Sequence, residues 1–458
     1  MRANRRLPWN MVPTIMALAW PTMLEQLMQT AVQYIDTAMV GSLGTQATAA
    51  VGATSTVNWL ISSTVSALGV GFLAYISQAC GSGDTRKAGR ASSQAVLATL
   101  LTGVLFTVLT LGLSDMVPVW MQVEPEIRDL AAQYFFILYI PMLPRTATII
   151  FGTMLRAVGD TRTPMRVGIW VNVINVVMNF LLIYPTGTYF GITIPGAGLG
   201  VVGAAIASAI AFTAGGLAIT AALWRHPVIT PKSQSLKPDW NVLKPCLQVA
   251  LPNALQRFGT SLGYVAFAAM INALGDVATA AHTIANTVES AFYIPGYGMQ
   301  TAAATLAGNA FGARDEKRIR DLAAMSIIIE VGMMILSESL LFVFAPDMMR
   351  LFSKDSEVIL LGSVVLRMVA VSEPFYGVSI ILEGMLQGMG RTVMPFICNI
   401  IGMWGVRIVG TFVCTTLLGM GLVSAWACMI AHNLLLFFLF VAYYLSGRWN
   451  PLKERKQA

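Results

Sequence analysis

Stretches of roughly 20 or more apolar residues recur along this chain, each long enough to cross about 30 Å of hydrocarbon as a helix. About twelve of them run between residues 14 and 445. Lipid offers no partners to backbone N–H and C=O groups, so such segments must be helices unless they close into a barrel. Strand-like alternation of apolar and polar residues is absent, which excludes a barrel. Composition agrees: of 458 residues, 56% are hydrophobic and only 11% charged, against about a quarter charged in a soluble globular chain. The five cysteines form neither a disulfide framework nor a metal spacing. Three arginines precede the first apolar run, but that run is too long for a cleavable leader and reads as the first span. The fold class is therefore an all-α membrane protein of twelve transmembrane helices.

Basic residues orient the spans. With a cytoplasmic N-terminus, most of the 29 Lys and Arg fall on inside segments, among them Arg2, Arg5, Arg6, Arg86, Lys87, Arg90, Arg156, Arg162, Arg166, Lys317, Arg318, Arg320, Lys453, Arg455 and Lys456. The outside loops hold Arg128, Arg350 and Lys354, while Arg145, Arg257, Arg367 and Arg407 lie within helices. That bias puts both termini inside. It also accounts for the net charge of +7. Because the charge is scattered over short loops, it does not describe a nucleic-acid surface.

A shift of 231 residues superposes one half of the chain on the other. Pro21 falls on Pro252, Leu43-Gly44 on Leu274-Gly275, Gln78 on Asn309, Gly81 on Gly312, Asp84 on Asp315, and Gly159, Thr161 and Pro164 on Gly390, Thr392 and Pro395. Farther on the shift becomes 221, with Gly200 on Gly421, and the longer outside loop 184–198 absorbs the difference. A constant offset across four helices and two polar loops signals a duplication. Each copy has six spans, an even number, so both enter the membrane in the same direction. A pseudo-twofold axis along the membrane normal follows, with the substrate path between the copies. The expected organisation is an N-terminal six-helix lobe over 1–224, a cytoplasmic linker 225–243, a C-terminal lobe 244–446 and a tail 447–458.

Charged side chains at membrane depth are costly and point to function. The first helix carries Glu25, Gln29, Gln33 and Asp36, whose spacing of four, four and three sets them on one face. The fifth helix adds Asn172, Asn175 and Asn179. A carboxylate beside amides in a dry pocket has the ingredients of a cation site, for a proton or for Na⁺, with Asp36 and Asn175 as oxygen ligands. The alternative is that the amides only fix helix packing. Under the 231 shift the stripe becomes Gln256, Thr260, Tyr264 and Phe267, polar but without an acid, so coupling chemistry is expected mainly in the N-terminal lobe. The second half has its own acids: Glu289, Glu330, Glu338, Glu373 and Glu383. Glu289 and Glu373, with Tyr376, suit a cationic, aromatic substrate; Glu330 and Glu338 are expected near a helix end or against an arginine. Arg145 and Arg407 require partners that the sequence does not identify. The histidines share no metal spacing, no hydrolase, kinase or P-loop signature is present, and no cofactor or enzymatic activity is expected.

These residues carry a resemblance. Tyr34-Ile35-Asp36-Thr37 with Gly41 and Gly44, the Gln78-Ala-Cys-Gly81-Ser-Gly83 turn, the paired loops Gly159–Pro164 and Gly388–Thr392, and the Asn175…Asn179 helix together resemble the multidrug and toxic compound extrusion (MATE) family over essentially the whole chain. The resemblance implies a V-shaped twelve-helix exporter of the bacterial cytoplasmic membrane, exchanging drug-like organic cations for H⁺ or Na⁺ and working as a monomer. It makes Asp36 the coupling acid, with Asn175, Asn179, Asn172 and Gln33 around it. The substrate side is then expected to draw on Gln29, Glu25, Gln256, Thr260, Tyr264, Glu289, Glu373 and Tyr376. One branch has an aspartate where this chain has Asn179; another has a glutamate at Thr260 and an aspartate near Tyr376. The first departure leaves a single strong acid, and the other two weaken the expectation of a second cation site in the C-terminal lobe. A flippase or exporter of lipid-linked saccharide from the wider superfamily is the alternative, which an arginine-rich cleft would favour.

Overall fold

The computed structural model describes residues 8–189, 192–232 and 234–449. Basic residues Arg2, Arg5, Arg6, Lys453, Arg455 and Lys456 lie outside these, as does the tail from residue 450. The long helices are α1 (Val12–Gly41), α2 (Thr45–Gly81), α3 (Thr85–Gly112), α5 (Arg162–Ile183), α6 (Gly200–Arg225), α7 (Trp240–Asn272), α8 (Asp276–Gly312), α9 (Glu316–Phe352), α10 (Ser356–Gly388) and α12 (Leu422–Leu445). Between α3 and α5, α4 is a bent pair, Pro125–Tyr139 and Met142–Ala157, turned by 52° at the break. Between α10 and α12, α11 (Val393–Leu417) winds into π-helical turns over Ile401–Ile408 and Val413–Leu417.

Eight of these helices are long and apolar enough to cross a membrane, and the bent pair makes a ninth. The other three, α1, α7 and α8, have the length but carry the polar stripes, which lowers their apolarity without changing the lipid they must cross. Side chains such as Leu101, Val108, Leu217, Leu336 and Leu360 are largely exposed. Bilayer lipid accounts for them, since water would not. The loop 184–198, which absorbs the change of register between the halves, has structure of its own. It contains an antiparallel hairpin, Pro185–Tyr189 against Ile192–Ala197, where Thr-Gly-Thr-Tyr and Ile-Thr-Ile alternate in the manner of short strands.

The helices form two compact units. One comprises Leu24–Ile76 with Thr85–Cys246; the other gathers the start of α1 up to Met23, the turn Ser77–Asp84, and the chain from Leu247. Helix α1 thus divides one turn from Pro21, a residue that removes a helical hydrogen bond. Its first half shares a core with the C-terminal unit, where Ile15 and Ala19 pack among Met299, Leu306, Ile381 and Leu386. The Thr22 hydroxyl there donates to Gly298 O at 2.9 Å. Its second half packs in the N-terminal unit, with Val40 against Ala47, Ile183 and Val201.

Within the C-terminal unit, the turn ending α2 meets the end of α8 by a contact that maps onto itself under the 231 shift. A Cβ added at Gly81 would lie 1.9 Å from Asn309 O, and one added at Gly312 would lie 2.0 Å from Gln78 O. Gly81 and Gly312 are repeat mates, as are Gln78 and Asn309. Each glycine therefore admits the backbone of its mate's helix.

The linker is strapped to α3. Gln94 Nε2 donates to Lys237 O at 2.9 Å, Asp239 N donates to Gln94 Oε1 at 2.9 Å, Ser92 Oγ donates to Ile229 O, and Arg90 pairs with Asp239. At its start, His226 Nδ1 accepts from Val228 N at 3.2 Å and from Ile229 N at 3.4 Å. Both bonds need an unprotonated Nδ1. Burial lowers the pKa of His226 below the ordinary imidazole value, and the Asp160 carboxylate works against that shift. A depressed histidine stabilises the fold above its unfolded pKa of about 6.5 and loses that contribution as pH falls through the lower folded value. Amide exchange at Val228 and Ile229, corrected for intrinsic rates, should show protection at neutral pH and lose it as the solution is acidified below the ordinary imidazole range. His226→Asn, which offers a pH-independent acceptor, should flatten that dependence. Equal protection across the range would refute it.

Candidate cation site and polar clusters

Asp36 lies in the second half of α1 and is half-buried. Helix α5 brings two amides to it. Asn179, 1% exposed, donates from Nδ2 to Asp36 Oδ1 at 2.5 Å. Asn175, one turn earlier, reaches the same carboxylate when its amide is turned to satisfy both neighbours. Its Nδ2 then lies 2.7 and 3.1 Å from the two Asp36 oxygens, and its Oδ1 accepts from Ser208 Oγ of α6 at 3.1 Å. The opposite orientation accepts from Asn179 Nδ2 at 3.1 Å instead. Residues four apart on a helix share a face, which is why two asparagines at this spacing serve one acid. Tyr134 of α4 faces both Asp36 and Arg145. The site therefore joins α1, α4, α5 and α6, and the sequence could not have supplied Ser208 or Tyr134, since both meet Asp36 or its amides only through tertiary packing.

Around this centre, Asn172 is buried with its Nδ2 unpartnered among the described residues, while Gln33 and Gln29 are exposed on α1. Glu25, lower on the same stripe, is buried against Arg156 Nη2 of α4, with both oxygens at 2.6 and 2.7 Å. The structure thus joins Asp36 to Asn175 and Asn179 but assigns Glu25 to an ion pair. Arg145, buried, donates to Ser62 Oγ at 2.8 Å and lies 4.7 Å over the Phe212 ring and 5.6 Å over Tyr139.

In the C-terminal unit the named residues fall into two clusters. Glu383 of α10 gathers Gln256 Nε2 at 2.8 Å, Gln387 Nε2 at 3.1 Å and Asn399 Nδ2 at 3.2 Å. Thr260 turns its hydroxyl to Gln256 O of its own helix. Tyr264 is half-exposed, 5.1 Å from the Arg407 guanidinium, which Phe267 faces at the same distance. Glu289 and Glu373 face one another within hydrogen-bonding reach, and Tyr376 Oη lies 3.5 Å from Tyr297 Oη. Glu330 and Glu338 differ from expectation: both are buried in the middle of α9, and no oxygen of either has a partner among the described residues. The arginines of α9, Arg318, Arg320 and Arg350, stand ten or more residues along the helix from these acids and reach neither. No group of His, Cys, Asp and Glu able to hold a metal occurs among the described residues.

Twelve long or paired helices, two compact units and a half-buried carboxylate held by amides are the makings of a multi-pass membrane transporter. A family model for MatE matches the chain twice, over residues 21–181 and 252–413, the two starts again 231 residues apart. The chain belongs to the MatE family, whose members are transporters and not enzymes. It is 28% identical over 449 residues to the probable multidrug resistance protein NorM of Thermotoga maritima, covering 97% of this chain and 95% of that protein. It is 27% identical to the probable multidrug resistance protein YpnP of Bacillus subtilis, covering 99% of each. Among solved structures, an outward-facing multidrug resistance MATE transporter of the MOP superfamily superposes with a TM-score of 0.89 at 23% identity, covering 96% of each chain. A MOP superfamily transporter from Pyrococcus furiosus, described as having a binding pocket of reverse polarity, gives 0.86 at 24% identity and the same coverage. The fold is that of these transporters, twelve spans in two six-helix lobes.

Proposed function

We propose that this chain exports organic, mostly cationic, drug-like compounds by alternating access, in exchange for H⁺ or Na⁺ taken up at Asp36. The observation that carries the reading is the Asp36 carboxylate under Asn179 and Asn175. Amide N–H donors hold the charged form. When a cation neutralises it, the acceptor that ties α1 to α5 weakens, and the two helices gain freedom to repack. The names of the NorM and YpnP relatives support the multidrug reading. The exposed Gln29, Gln33 and Tyr264 suit substrate contact. Glu289 and Glu373 are too deeply buried for a drug-sized cation to reach. The lobes 1–224 and 244–446 act as the duplicated halves, in a cytoplasmic membrane with both termini inside. Arg145 and Arg407 each pack on aromatic rings and form no basic surface, which weighs against an anionic lipid-linked substrate.

Proteoliposomes with independently imposed proton and sodium gradients test this directly. One of the two gradients is expected to drive efflux of a fluorescent cation by the wild-type protein. Efflux that needs neither gradient would refute exchange.

A further inference from the structure

Helix α10 turns one stripe outward: Leu360, Val364, Arg367, Val371 and Phe375, spaced so that they share a face. All five are exposed, Leu360 at 69% and Val371 at 64%. Four of them are apolar, and bilayer lipid is the solvent that explains such exposure. Arg367 is the one charge among them. A charge facing lipid is costly at membrane depth unless something neutralises it.

A structural role accounts for part of this side chain. Pro346 lies inside α9, and a proline has no N–H to give to the carbonyl four residues before it. That carbonyl is Phe342 O. Arg367 Nε donates to it at 3.1 Å, with the guanidinium carbon 5.8 Å over the Phe342 ring. One donor of the guanidinium is thereby used, and the N–H groups on Nη1 and Nη2 are left over. They have no partner among the described residues, and no acid there pairs with the charge. Glu338, one turn before Phe342 on α9, is buried with both oxygens unpartnered, and Asp347 pairs with Arg350 at 2.9 Å. From Asp321, the last charge of its opening turns, α9 rises about 30 Å to Phe342, one hydrocarbon thickness. The guanidinium therefore lies where lipid headgroups begin.

We propose that Arg367 binds the phosphate of an anionic phospholipid. Nη1 and Nη2 present a fork that matches two phosphate oxygens, while Nε stays on Phe342 O. One acyl chain runs over Val371 and Phe375 towards the exposed ring of Phe438 on α12. Phe375 and Phe438 each meet Phe437 at 5.3 Å between ring centroids, so this apolar surface is continuous from α10 to α12. A zwitterionic lipid suits the seat less, because its ammonium offsets the phosphate. The bound lipid supplies the counter-charge that no described protein group provides.

Full-length protein in detergent is titrated with phosphatidylglycerol, or with phosphatidylcholine of the same acyl chains, and bound lipid is counted by native mass spectrometry. The wild type is expected to hold one phosphatidylglycerol more tightly than phosphatidylcholine by about fivefold or more. Arg367→Gln should erase that preference. Because Arg367→Gln also weakens the bond to Phe342 O, it is combined with Pro346→Ala, which restores the missing N–H, so the double variant isolates the charge. Pro346→Ala alone should keep the preference and the double variant should lack it. A preference that survives in the double variant overturns the proposal, as does equal affinity of the wild type for both lipids. Displacement of the lipid by millimolar inorganic phosphate would mark a small-anion site instead and overturn it too, as would a dimer that needs Arg367 and forms in place of lipid uptake.

Discussion

Replacing Asp36 with asparagine is expected to reduce energised efflux of a fluorescent cation to the level of cells lacking the transporter, with normal amounts of protein in the membrane. The substitution is nearly isosteric. Asparagine still offers an oxygen to Asn179 Nδ2, now 2.5 Å from Asp36 Oδ1, and it adds donors for the amide of Asn175. The contact between α1 and α5 should survive, so a loss of efflux will not be a loss of folding. What disappears is the charge. A neutral amide cannot exchange a proton with water at physiological pH, and it is a weaker ligand than a carboxylate for a monovalent cation. Among the described residues, no other acid is placed to replace it. Glu25 is engaged by Arg156, and Glu289 and Glu373 belong to the other unit. Wild-type efflux from Asp36→Asn at normal expression would show that the coupling cation binds elsewhere.

The grouping of polar side chains was legible in the sequence where one helix carries the information. The stripe on α1 and the i, i+4 pair on α5 are periodicities of single segments, and the resemblance of Tyr34–Thr37 linked them. Glu25 shows the limit. Its spacing places it on the same face as Asp36, but Arg156 is 131 residues away in sequence and no periodicity announces the ion pair. Glu330 and Glu338 show another limit: in a sequence, a buried acid with no partner looks the same as a solvated one. Among the spans, α1, α7 and α8 are recognisable by length despite their polar residues, because their repeat mates or neighbours keep the register. The hairpin in 184–198 escaped notice because a two-stranded ribbon of about five residues a side gives almost no periodic signal. The duplication was the most legible feature, since it rests on many positions at once rather than on any one contact.

That duplication makes a second strong prediction, about stability rather than transport. Gly81→Ala and Gly312→Ala should each sharply lower the yield of folded, monodisperse protein and its melting temperature in detergent. A methyl at either site would lie at 1.9 or 2.0 Å from a backbone carbonyl oxygen, of Asn309 or Gln78 respectively, where contact requires more than 3 Å or so. The obstacle is backbone, so no side chain can rotate away and the α2 turn must separate from α8. Forced overpacking of this kind typically costs about 1–3 kcal/mol, occasionally more. Because the contact is reciprocal, separation caused by one substitution already makes room for the other. The double variant should therefore be less destabilised than the two single effects added together, as residues sharing one displacement do not act independently. Gly332 of α9, with nothing within 4 Å of an added Cβ, is the control. Gly332→Ala should be neutral or stabilise by about 0.5–1 kcal/mol through the lost flexibility of glycine in a helix. Gly81→Ala and Gly312→Ala proteins as stable as Gly332→Ala would mean the repeat mates do not pack backbone to backbone.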